Sequence, residues 1–94
     1  MVERSQRLPT LEDIRKYVAD TLGRIEMLDP AHYQLSQHIL FRSGTPCGMH
    51  FCLHGPRAVQ LTAIWETDRN TILFYSSSGE RVGRTRVLAA PRVS

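Results

Sequence analysis

The run Cys47-Gly48-Met49-His50-Phe51-Cys52-Leu53-His54 holds four side chains able to ligate zinc. An extended strand would divide them: Cys47 points to one side, and His50, Cys52 and His54 to the other. His50 and His54 then stand ~13 Å apart along the strand, too far to share one ion readily with Cys52. Further ligands would have to come from His32, His38 or a second copy. The plainer reading is a half-exposed polar stripe. No cofactor is expected, and zinc on His50, Cys52 and His54 is the lesser alternative.

The same stripe could make Cys52 a nucleophile, because histidines at i−2 and i+2 can lower a thiol pKa. No carboxylate falls beside it to orient an imidazole, and no oxyanion hole is evident, so a structural cysteine is expected. There is no Gly-x-Ser-x-Gly elbow. Ser76-Ser77-Ser78-Gly79 lacks the Lys-Ser/Thr of a phosphate loop and leads into a strand, which makes it a hairpin turn. Glu66 and Asp68 sit at another hairpin tip. The expectation is a protein that is not an enzyme.

Arginine supplies the remaining chemistry. Eleven of the 12 basic residues are arginine, and Arg81, Arg84, Arg86 and Arg92 crowd the last 14 positions. Residues 1–80 carry 8 basic and 9 acidic side chains, whereas residues 81–94 carry four arginines and no acid. The overall charge of +3 therefore belongs to the C-terminal end, not to the chain as a whole. Arg81, Arg84 and Arg86, with Tyr75 nearby for stacking, are candidates for nucleic-acid contact. The competing explanation is that charge on a terminal strand blocks edge-to-edge aggregation. No zinc-finger spacing or aromatic RNA-binding signature accompanies them.

These residues must be positioned by one small domain over residues 1–94. Residues 1–8 read as a polar lead-in. Thr10 can cap a helix over 10–28, with Asp13 near its positive end and an apolar stripe through Leu11, Ile14, Val18, Leu22, Ile25 and Leu28. Gly23 within it costs about 1 kcal/mol relative to alanine. Pro30 stops the helix, and residues 31–36 are left between a turn and another helical turn.

From there, short apolar runs alternate with turn signals, giving strands near 37–42, 47–54, 58–66, 70–76 and 80–88. Residues 89–94 form a tail. Connections this short join antiparallel neighbours. The fold class is α+β: one N-terminal amphipathic helix packed on a four- to five-stranded antiparallel meander.

Keeping apolar residues on one face places Phe51 opposite Leu61, Trp65 opposite Ile72, and Val82 opposite Phe74. Met49, Phe51, Leu53, Val59, Leu61, Ala63, Trp65, Ile72, Phe74 and Val82 then form the core face, with Arg84 and Arg86 beside Val82. The other face carries His50, Cys52, His54, Gln60, Thr62, Ile64, Leu73 and Tyr75. Ile64, Leu73 and Tyr75 are more apolar than a solvated face requires, so they are the candidate interface for a homodimer or higher homo-oligomer. No apolar run approaches the ~20 residues of a membrane span, and the first residues lack a signal-peptide pattern. With two unpaired cysteines, the expected location is the cytoplasm.

Overall fold

Thr10 caps the helix as its sequence predicts. Its Oγ1 accepts from the Asp13 N–H at 3.1 Å, and Asp13 Oδ2 accepts from the Thr10 N–H at 3.2 Å. In the computed structural model, which describes residues 2–91, helix α1 runs Leu11–Ile25. Ile14, Val18 and Leu22 are fully buried, whereas Leu11 stays 37% exposed. The helix ends three residues before the expected Leu28 because the backbone closes on itself. The Leu28 N–H donates to Gly23 O at 2.7 Å and the Met27 N–H to Arg24 O at 3.3 Å, a Schellman pair. Met27 takes the left-handed conformation this requires, at φ 55°. Gly23 permits the return: a Cβ there would lie 2.7 Å from Leu28 O and 3.1 Å from Pro30 Cδ. A short 3-10 turn, Pro30–His32, then leads into the sheet.

The sheet has six strands, not four or five. They are β1 Val2–Arg7, β2 Gln34–Arg42, β3 Thr45–His54, β4 Gln60–Glu66, β5 Thr71–Tyr75 and β6 Arg81–Ala89, in the order β1-β6-β5-β4-β3-β2. β2 to β6 form the expected antiparallel meander, but β1 pairs parallel to β6. The supposed lead-in is therefore mostly strand, and the sheet is mixed. Parity explains the direction. The Leu8 N–H on Ala89 O places the start of the helix at the end of β6, and Ser77 on Glu26 places its end at the β5–β6 turn. The helix thus returns the chain across the sheet. β2 runs as β1 does, and four reversals later so does β6. Of the expected tail, Ala89 belongs to β6, and 92–94 lie outside the described residues.

Two registers differ from expectation, with different consequences. Phe51 lies opposite Ala63, not Leu61, because Pro56–Ala58 winds into a tight turn with Arg57 and Ala58 both left-handed. A two-residue shift keeps every side chain on its face, so the β3–β4 core assignment stands. Trp65 lies opposite Ile72, as expected. At β5–β6, however, Phe74 pairs with Gly83 and Tyr75 with Arg81, leaving Val82 as the extra residue of a bulge. The bulge exchanges the faces of β6 beyond that point. Gly83, Thr85 and Val87 turn toward the helix, and Arg84 and Arg86 turn away from it.

One helix, ~10 Å across, cannot span six strands set ~4.8 Å apart. α1 rests over β3 and β4. On one side Arg15 reaches β2, donating to Leu35 O at 2.8 Å and Gln37 Oε1 at 2.6 Å. On the other, Tyr17 meets Phe74 edge-on at 6.1 Å and shares a 2.8 Å hydrogen bond with Thr85 Oγ1. Thr85 is 2% exposed, so that bond satisfies a hydroxyl that burial would otherwise strand. Trp65, Phe51 and Phe74 fill the centre, and the buried Trp65 Nε1 has no hydrogen-bond partner among the described residues.

Both special positions at the helix end can be tested by urea unfolding followed through Trp65 fluorescence. Gly23→Ala should destabilise by about 1–3 kcal/mol, although helix propensity alone predicts a gain of about 1 kcal/mol. A stabilised variant would show that the close approach is absent. Met27→Gly should stabilise by about 0.5–1 kcal/mol, since the exposed side chain at this left-handed position gains nothing from packing.

Candidate interaction surface

Among the described residues no helix lies over the second sheet face, and cross-strand pairing sets what that face presents. One row runs across it from Glu3 on β1 through Arg84, Leu73, Ile64 and His50 to His38 on β2. The neighbouring row holds Tyr75, Thr62, Cys52 and Ser36. Beyond it stand Gln60, His54 and Gln34. Ile64, Leu73 and Tyr75 therefore lie together on three adjacent positions, half-buried by their neighbours. Cys52, with no helix above it, is still only 7% exposed.

The zinc candidates share this face without forming a cluster. His54 Nε2 is bonded to Ser36 Oγ at 2.9 Å, and His50 faces His38 across the β2–β3 ladder. Among the described residues, no three His, Cys, Asp or Glu side chains come close enough to hold a metal ion. The sequence does not reveal the His38–His50 pair, because the β2 register depends on the bulge beside it. That bulge falls at Cys47, between the Leu40–Gly48 and Phe41–Pro46 pairs. Thr67 secures it by donating its N–H and Oγ1 to Cys47 O.

Burial pushes the Cys52 thiol above its ordinary pKa, which reduces the thiolate fraction near neutrality. That is the wrong direction for a nucleophile. Cys47 and Cys52 are both free thiols.

The arginines stand elsewhere than expected. Apolar matching predicts Arg84 and Arg86 on the core face beside Val82, whereas the β6 bulge puts them on the bare one. Arg84 forms an ion pair with Glu3 of the parallel neighbour β1. Arg81 is exposed and opposes Tyr75 at the bulge. Arg92 falls outside the described residues. Glu3 was missed because β1 shows no apolar alternation to mark it as a strand.

Charge borders the face on the β6 side, where Arg84 pairs with Leu73, Arg81 with Tyr75 and Arg86 with Thr71, and it continues to Glu3 on β1 and Glu66 on β4. The centre, from Leu73 and Tyr75 through Ile64 and Thr62 to Cys52, has no formal charge. An apolar centre with a polar rim is the usual anatomy of a protein–protein contact.

Thiol chemistry provides a direct check on this face. With Cys47→Ser removing the competing thiol, Cys52 should react with a disulfide reagent at pH 8 at least ~10-fold more slowly in the native state than in urea. Equal rates would show that Cys52 is open and ionised. No protein-family model, curated protein or solved structure matches this chain, which leaves its surfaces as the guide to what it does.

Proposed function

We propose that the chain is a small non-enzymatic interaction module that pairs with a second copy through the bare face of its sheet. The supporting observation is the uncharged patch of Ile64, Leu73 and Tyr75 at the middle of a face that no helix covers. The face extends ~24 Å across the strands and ~20 Å along them, roughly 480 Å² in projection, which is the size of a weak or transient interface. A two-fold stack would seat the two patches on each other and leave Glu3, Arg84 and Arg86 in the rim. It would also bring two His50/Cys52 pairs near the axis, the one arrangement that could complete a metal site.

A second reading uses the same surface. Once Arg84 and Arg86 share a face with Tyr75, they could contact a nucleic-acid backbone while the phenol stacks on a base. Glu3 weakens this reading by occupying Arg84.

Sedimentation velocity at micromolar concentration should show a dimer, and Ile64→Lys with Leu73→Lys should weaken it at least ~10-fold while circular dichroism stays native. A strict monomer contradicts the proposal. So does a dimer indifferent to both lysines but dissolved by Ile39→Lys, which would locate association on the β2 edge. Fluorescence anisotropy with a single-stranded oligonucleotide at low salt addresses the second reading. Binding that survives Arg84→Ala plus Arg86→Ala, or no binding at all, removes it.

A further inference from the structure

The helix leaves space on its own side of the sheet as well. Between α1 and the β1–β6 edge lies a groove of about 300 Å³, at the lower end of volumes that hold small ligands. It exists because the positions facing each other across it are small: Thr21 on the helix, Gly83 and Thr85 on β6. The half-buried Val82 and Ile25 give it apolar walls over the buried Phe74. The Tyr17 and Thr85 hydroxyls, bonded to each other at 2.8 Å, lie along its inner side.

The charge around this groove has one sign. Arg4 stands opposite Thr85 on the parallel neighbour strand and so shares the helix side of the sheet. Arg24 comes from the last turn of α1, and both guanidinium-bearing residues line the groove. Among the described residues, Arg4 has no carboxylate within ion-pair distance. Arg24 has none either, and its side chain reaches only Thr21 Oγ1 at 3.4 Å. Arg84, by contrast, is neutralised by Glu3. No acidic residue lines the groove among the described residues.

We infer that this groove binds a small organic anion with a flat apolar body, an aromatic carboxylate in chemical class. The ring would lie against Ile25 and Val82, and the carboxylate would take charge-assisted hydrogen bonds from Arg4 and Arg24. Cation–π contact of a guanidinium with the ring face adds to the preference for an aromatic body. The site is separate from the bare sheet face and does not depend on self-association.

The test is an amide nitrogen–proton correlation titration with 2-naphthoate, alongside 2-naphthylmethanol as the uncharged analogue. For a ligand of this size, saturable shifts are expected with a dissociation constant on the order of 1 mM, centred on the Thr21, Gly83 and Thr85 amides. The alcohol and the Arg4→Ala/Arg24→Ala variant should each bind at least ~10-fold more weakly. Thr21→Trp, which fills the groove from the helix, should abolish the shifts while the remaining spectrum stays native. The inference is overturned by shifts confined to another surface or by absence of saturation. Equal affinity for acid and alcohol, or indifference to the arginine variant, overturns it equally.

Discussion

The width of one helix against the width of six strands governs this molecule. α1 can cover about two or three strands, and it rests over β3 and β4, where Met49, Phe51, Leu53, Leu61, Ala63 and Trp65 are buried. The flanks need other solutions. Arg15 spreads across β2 on one side, and Tyr17 reaches Phe74 and Thr85 on the other. Where neither reaches, the helix side stays open. Ile39 and Phe41 remain 45% and 62% exposed near the β2–β3 hairpin, and the groove persists beside β6. The opposite face has no helix among the described residues. Both proposed sites follow from this mismatch, because each is sheet surface that one helix cannot occupy.

Small backbone devices then decide which side chains meet there. The bulge at Val82 puts Arg84 and Arg86 on the bare face and turns Thr85 inward to Tyr17. Without it, two guanidiniums would point toward the apolar layer at severe desolvation cost. The bulge at Cys47 allows β3 to keep pairing with β2 while Gly48 passes close to β4, where a Cβ would lie 2.1 Å from Trp65 O. Parallel pairing of β1 supplies Glu3 to one face and Arg4 to the other. A six-residue strand thus takes part in both surfaces.

Features that rest on side-chain periodicity are legible in the sequence. Thr10 and Asp13 announced the cap, Ile14, Val18 and Leu22 the buried stripe, and the Gly- and Ser-containing turns the meander. The Trp65–Ile72 register followed from matching apolar residues across a short hairpin. Gly23, by contrast, looked like a simple propensity penalty, and only the returning chain at Leu28 and Pro30 explains it. β1 was illegible because Glu3, Arg4 and Ser5 are all exposed. An edge strand held by backbone bonds needs no apolar alternation, and periodicity finds only strands that bury a face. The bulges at Cys47 and Val82 have no strong residue signature either, so spacing does not reveal the Val82 face exchange or the His38–His50 pairing. Matching apolar residues across the β4–β5 hairpin also makes Ile64, Leu73 and Tyr75 neighbours on one face, as their pairing has them. The position of the arginines does not follow from such matching.

Small-angle X-ray scattering tests the central claim, that the bare face is where two copies meet. One chain has a Cα radius of gyration of 12.6 Å. Stacking two sheets face to face at ~10 Å sets the chain centres ~20 Å apart and gives a radius near ~16 Å. That value at micromolar concentration is the predicted result. A value unchanged from a single chain, or one near ~20 Å as expected for strands joined edge to edge, would contradict the account.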